Sequence, residues 1–453
     1  MTKTLLDYYR IPVELQPPAS AFDASGDAGF FQFGEDTICF GRCKSGVSAK
    51  VDEAPLPDAA RHMRANGSAV QFPFDISEVI DNLRRERYVA APDGKNKGWM
   101  NNAAVRGAYY AFRNLLPTSF RHSLQRMYLS DWKKLKFPHW PLEFAVDTLH
   151  EVQLRLAMEA SGVQKIPFIW FWPDGAPSCL ILTHDVETKA GRDFTAKLMD
   201  MDADHGLRAS FQVIPEERYD VPADYLQEIR DRGFEVNVHD LNHDGRLFQE
   251  REEFLRRAKK INEYARKYGA RGFRAGAMYH NADWYEAFGF SYDMSVCNVA
   301  HMEPQRGGCC TVMPYFIGNI VELPLTVTQD YSLLHMLQMD TIDLWRQEIS
   351  LLKQRNGLIS LVSHPDYLID NKNRAIYVAL LSHIQEVVSR EKIWAPLPGE
   401  VDRWWRARSQ MQLVRKGNEW EIEGPEKSCA CVAYATVADG RIEYEVEGAS
   451  VRA

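Results

Sequence analysis

Long apolar runs are scarce in this sequence, and their absence excludes much. No window approaches the ~18 uninterrupted apolar residues of a membrane-spanning helix. The opening stretch, MTKTLLDYYRIP, lacks the apolar core of roughly 7–15 residues that a secretory signal needs. Cysteine is thin as well, with eight in 453 residues (Cys39, Cys43, Cys179, Cys297, Cys309, Cys310, Cys429 and Cys431). That spread reads as free thiols in a reducing compartment rather than a disulfide framework, so the expected location is the cytoplasm. Neither Cys39-x-x-x-Cys43 nor Cys429-x-Cys431 has a second Cys or His pair nearby, which argues against a structural zinc site. Excess basic charge is also missing. A net charge of -8 argues against nucleic acid or an anionic membrane as the main partner. There is no internal repeat and no low-complexity segment.

What is present is enough chain for two or three domains and at least one large core. Residues 1–165 read as a mixed, helix-rich region of unnamed role. It holds a hairpin over 30–42 turning near 34–36, a loop at 55–58, and a helix over 76–88 started by Asp75 or Ser77. A Lys- and Asn-rich loop at 94–98 follows, then two helices over 103–128 broken at Pro117-Thr118, then a helix over 142–161. An aromatic linker, IPFIWFWP at 166–173, is expected to pack between domains, with a sugar-stacking platform as the less economical reading. From 179 onward strand and helix alternate through six or seven units, which fits a parallel barrel or an open doubly wound sheet. The segment from 399 to 453 opens with a helix carrying Trp404 and Trp405. Three short alternating strands follow, giving a small β-rich segment.

The chain is organised around Ser178 to Glu187, SCLILTHDVE. An apolar run, Cys179 to Leu182, is expected to be a buried strand that stops at Thr183, with the acids Asp185 and Glu187 just beyond it. In α/β folds chemistry sits where strands end on their carboxyl side. Other strand ends repeat the pattern. NVHDLNH places His239 and His243 four apart, GFRAGAMY offers Arg274 and Tyr279, and LISLVSHPDY offers His364. Two imidazoles and a carboxylate can hold one metal and leave positions open for water, whose pKa the metal lowers. A second carboxylate beside a guanidinium can serve as base, and a further protonated His can donate to a leaving nitrogen. Each signal has a plainer reading. H-x-x-x-H often decorates a helix, acids after a strand often cap the next helix, Arg274 serves equally as an ion-pair partner, and His364 as a turn histidine. Their order and placement together point to a site. His205, His280, His301 and His335 lack that context and read as structural.

Over about 176–393, slightly under half the chain, these motifs resemble the polysaccharide deacetylases, the NodB-homology family. The resemblance implies a distorted (β/α) barrel of about seven strands over 166–398, flanked by the helix-rich N-terminal region and the β-rich C-terminal segment. It implies hydrolysis of an acetamido group on a sugar or polysaccharide precursor. It also implies a divalent metal, zinc first, with cobalt, iron, manganese or nickel as alternatives. THDVE is similar to the family's D-x-D/E acid pair, implying Asp185 as base and Glu187 as metal ligand. Val186 stands where the familiar version has an aspartate, so those two roles stay interchangeable. His239 and His243 resemble the histidine ligands, with Asp240 where Ser or Thr is usual. Arg274 resembles the residue that orients the base, with Gly276 where the motif has proline. His364 resembles the general acid, Tyr279 lies where a backbone N–H meets the oxyanion, and Asp330 is the nearest analogue of a pocket-lining acid. The family's pocket tryptophan has no counterpart. Secreted members carry signals, which this chain does not show. Two rivals stay open. One is the same site acting on another C–N bond or an O-acetyl ester; the other is a non-catalytic carbohydrate-binding or assembly protein.

Overall fold

A computed structural model describes residues 3–12, 14, 26–52, 55–66, 69–89, 126–127 and 129–447. The loop expected at 94–98 lies outside these residues, as do nearly all of the two helices expected over 103–128. At the centre is a sheet whose seven parallel strands are β1 (Cys179–Val186), β2 (Ala209–Val213), β3 (Glu235–His239), β4 (Gly272–Arg274), β5 (Tyr292–Asp293), β6 (Ile320–Glu322) and β7 (Leu358–Ser363). In space they run β6-β5-β4-β3-β2-β1-β7, and an antiparallel strand, Tyr315–Ile317, lies on the outer edge of β6. The sheet curls until the segment after β6 nearly joins its two ends. The Leu325 N–H donates to the Val296 carbonyl (2.9 Å) and the Val327 N–H to the Ser360 carbonyl on β7 (3.1 Å). Thr326 Oγ1 donates to the Leu358 carbonyl (2.7 Å) and accepts from the Ser360 N–H (2.9 Å). The result is the distorted α/β barrel. Helices Lys189–Asp204, Ala223–Asp231, Arg251–Tyr268, Asp343–Gln354 and Asn371–Glu391 pack outside it through one apolar core.

β1 departs from expectation in an instructive way. It does not stop at Leu182 but runs on to Val186, buried along its whole length. The polar residues fail to end it because each finds a partner on its own face of the sheet. His184 points toward the helices, with Nε2 2.9 Å from Asp202 and Nδ1 2.9 Å from Ser363 Oγ. Thr183 and Asp185 point into the barrel, where Arg274 meets both. The acid therefore stands within the sheet, held by strand geometry.

The end of the barrel opposite the site is plugged by helix Pro398–Gln410. Val401, Trp404 and Trp405 join Cys179, Ile181, Tyr292, Leu323 and Leu358 in one apolar cluster. Burying an indole of about 200 Å² contributes roughly 5 kcal/mol of transfer free energy before the entropy of ordering is subtracted. The aromatic linker packs in this cluster too, and part of it is a strand, Lys165–Ile169, that pairs antiparallel with Val432–Ala438. That C-terminal strand also pairs with Arg441–Val446, and a separate hairpin joins Gln412–Lys416 to Glu419–Glu423. Arg408, fully buried, donates to the carbonyls of Tyr8, Ile169 and Trp170. It thereby ties the first helix (Lys3–Tyr9) to the linker and the plug.

In the N-terminal region, Gly29–Phe33 pairs with Thr37–Gly41 around the expected turn. Helix Ile76–Arg84 begins at Asp75, whose Oδ1 accepts from the Ser77 and Glu78 N–H groups. Helix Ala145–Ser161 ends at Gly162, in the left-handed region at φ 70°. These elements share a third apolar cluster that reaches the barrel at Cys310. All eight cysteines are free thiols. Among the described residues no helix is long and apolar enough to cross a membrane.

Candidate active site

Asp185, one residue before the end of β1, faces Arg274 at the end of β4. Arg274 Nη1 donates to Asp185 Oδ1 (2.9 Å) and to Thr183 Oγ1 (2.8 Å), and Nε donates to the Met294 carbonyl (3.0 Å). Thr183 Oγ1 in turn donates a hydrogen bond to the Leu361 carbonyl on β7 (2.7 Å). The guanidinium is fully buried, and its position is fixed by β1 and by the residue that follows β5. Burial alone would raise the Asp185 pKa, but Arg274, with His239 and His364, holds it below its ordinary value. Asp185 is therefore an ionised carboxylate in a water-poor place.

His239 ends β3, and its Nδ1 lies 3.1 Å from the Arg274 carbonyl. A carbonyl can only accept, so the proton sits on Nδ1 and the Nε2 lone pair points into the site. The chain then turns sharply through Asp240 (φ 56°) to His243 (φ 54°), both left-handed. Arg218 supports that turn by donating to the carbonyls of Asn242 (3.2 Å) and His243 (2.7 Å). The two imidazole centroids end 4.8 Å apart. Glu187 completes the group: Oε1 is 2.9 Å from His243 Nε2 and 3.9 Å from His239 Nε2. Burial would lift the Glu187 pKa, while the two imidazoles hold it well below the carboxylate range.

These three residues fit a cation. Their donor atoms lie within 4.8 Å of one another. Tetrahedral zinc with bonds near 2.0–2.1 Å sets its ligands about 3.3 Å apart, inside the range found here. His239 Nε2 and both His243 ring nitrogens are buried without a hydrogen bond of acceptable geometry, despite the short approach of Glu187 to His243. Buried imidazole nitrogens without partners are costly unless something binds them. Asp185 Oδ2 stands 3.8 Å from His239 Nε2, close to the group.

His364 follows β7 directly. Its Nδ1 is 2.7 Å from Asp330 Oδ1, its backbone N–H donates to Asp330 Oδ2 (2.7 Å), and Nε2 is 3.7 Å from Glu187 Oε1. Asp330 thus grips His364 with both oxygens from a fully buried position. Burial disfavours an imidazolium, but Asp330, Glu187 and Asp185 outweigh it and push the His364 pKa up to about 10. Tyr279 lies on the loop after β4, and its backbone N–H donates to the Gly276 carbonyl (3.3 Å).

Two supporting residues carry no mark of their role in the sequence, and a third, Gly276, shows there only as a departure from the family's proline. Thr183 is a strand residue whose role shows only when β4 and β7 are seen beside it. Gly276 abuts the site so closely that a Cβ there would meet Asp240 Oδ2 at 2.5 Å and the His243 ring at 3.0 Å. Glu303, buried beside Gln329, has its pKa pushed by burial up to about 7, with Gln329 and the His364 charge opposing. Nothing in the local sequence marks it.

No family model and no curated protein matches this chain. Solved structures do resemble it in fold, polysaccharide deacetylases and family 4 carbohydrate esterases among them. A Mycobacterium smegmatis protein provisionally described as a polysaccharide deacetylase is 18% identical; the likeness covers 55% of this chain and 98% of that one, with a TM-score of 0.42. Puue allantoinase is 13% identical over 52% of this chain and 92% of its own, with a TM-score of 0.42. A family 4 carbohydrate esterase from Streptomyces lividans, in complex with acetate, is 12% identical over 49% and 93%, with a TM-score of 0.32. The chemistry assigned to this chain rests on its own side chains.

Proposed function

We propose that this protein is a metal-dependent hydrolase that removes an acetyl group from an amide nitrogen on a sugar or polysaccharide precursor. The observation that carries the reading is the convergence of Glu187, His239 and His243 between an Arg-held carboxylate and an Asp-held imidazole. Glu187, His239 and His243 would hold a divalent cation, zinc first. Such an ion supplies Lewis acidity for a carbonyl oxygen and lowers the pKa of water toward neutrality.

The chain's own residues do the proton work. Asp185, ionised against Arg274, accepts the proton of the attacking water. His364, charged because of Asp330, gives a proton to the departing nitrogen. An amine is a poor leaving group until protonated, whereas an alkoxide depends on this less, so an imidazole held charged by Asp330 favours the amide over the ester.

The test is elemental analysis of the purified protein together with acetate release from N-acetyl sugars, O-acetyl sugars and ureides. One cation per chain and release from the N-acetyl set is the expected result. Turnover confined to the other two sets moves the substrate class, and bound metal without any turnover makes the barrel a binding module. A second expectation concerns Gly276. Replacing it with Ala presses a methyl on Asp240 and the His243 ring, so zinc affinity falls about 10–100-fold in a competition titration. Wild-type affinity would show that the turn relaxes freely.

A further inference from the structure

The loop that follows β4 divides the site and is under visible backbone tension. Ala277 (φ 55°) and Met278 (φ 54°) are successive non-glycine residues in the left-handed region, which such residues keep only when their surroundings enforce it. On its inner side the loop touches both halves of the catalytic group. Gly276 abuts the His243 ring, and Met278 packs with Cys297, Ala300, Leu325 and Val362, the last being two residues before His364. The loop is therefore the spacer between the imidazole that would hold metal and the strand end that carries the acid.

On its outer side the loop is gripped by a residue from the N-terminal region. Glu86 Oε2 lies 2.9 Å from His280 Nε2, and His280 Nδ1 lies 2.9 Å from the Met278 carbonyl. Gln305 closes the ring, donating to Glu86 Oε2 (3.2 Å) and accepting from the His280 N–H (3.2 Å). The Glu86 and His280 side chains are only 6% and 8% exposed. Two neighbours point the same way: Arg85 donates to Asp283 (2.7 Å) and the Tyr88 hydroxyl to the Gly308 carbonyl (2.6 Å). A buried ion pair is a poor choice where only stability is wanted, since an apolar pair does that at lower desolvation cost. Directionality is what it adds.

We propose that Glu86 is a positioning residue. Through His280 it holds the left-handed turn at 277–278 and thereby the separation between His243 and the end of β7. The kinetic consequence rests on the hydrolase reading above; the conformational one does not.

The test compares Glu86→Gln with Glu86→Ala in the metal-loaded, full-length protein. Glu86→Gln keeps an acceptor for His280 and is expected to leave kcat within about 3-fold of wild type. Glu86→Ala is expected to lower kcat about 30-fold with KM nearly unchanged, the mark of misplaced groups rather than weakened binding. Amide hydrogen exchange of a peptide covering 276–280 should quicken about ten-fold in Glu86→Ala, with exchange in β1 unchanged. Wild-type exchange in Glu86→Ala overturns the proposal, as does an equal fall in both variants or a loss of protection throughout the barrel. If the wild type releases no acetate from any substrate while the exchange result holds, the hydrolase reading fails and Glu86 remains the residue that sets this loop.

Discussion

Asp185→Asn lowers acetate release by about 10²–10⁴-fold and leaves the metal content of the protein unchanged. The amide cannot take a proton from water, and the neighbouring carboxylate, Glu187, is committed to the two histidines. Metal is retained because Asp185 lies outside the three residues whose donor atoms cluster. The variant also leaves the buried Arg274 without its counter-charge. Removing one partner of such a pair costs about 3 kcal/mol, visible as a lower urea midpoint. Elemental analysis and single-turnover kinetics on one preparation separate the effects. If Asp185→Asn loses its metal while Glu187→Gln keeps it, the two acids exchange roles, as the Val186 spacing left open.

The second large effect is in pH. In the metal-free protein Asp330, with Glu187 and Asp185, pushes the His364 pKa up to about 10 against burial. Asp330→Asn removes the nearest negative charge, so the alkaline limb of the kcat/KM profile moves down by about 2 pH units. Stability carries the same signature in the metal-free protein. The folded pKa is raised above the unfolded value near 6.5, so the stabilisation is complete below about pH 6.5. It is lost as pH rises through about 10. Thermal melts in chelator between pH 6 and 10.5 should fall for the wild type and stay flatter for Asp330→Asn. An alkaline limb that does not move would assign the acid to another group.

The barrel was legible because strand-like and helix-like stretches alternate along the chain from 179 onward, a pattern that local sequence carries. The convergence of Asp185, Glu187, His239, His243, Arg274 and His364 was legible for the same reason, since each stands at or beside a strand end. What local sequence does not carry is partnership across distance. The end of β1 was placed too early, because Thr183 and His184 look like breakers until Arg274, Leu361, Ser363 and Asp202 are set beside them. The double grip of Asp330 on His364 joins two segments that share no periodicity. The same holds for Gly276, whose lack of a side chain matters only because Asp240 and His243 fold over it.

One pairing bears on how the molecule comes into being. The strand Lys165–Ile169 precedes the barrel, yet its partner Val432–Ala438 follows it, so the pair cannot form until the whole barrel segment has been synthesised. Until then a bare, aromatic-rich edge stands open beside a finished barrel, an invitation to another nascent chain. Expression trimmed to 166–398 would make that interval permanent, so a minimal fragment chosen for its catalytic residues should precipitate where the whole protein does not.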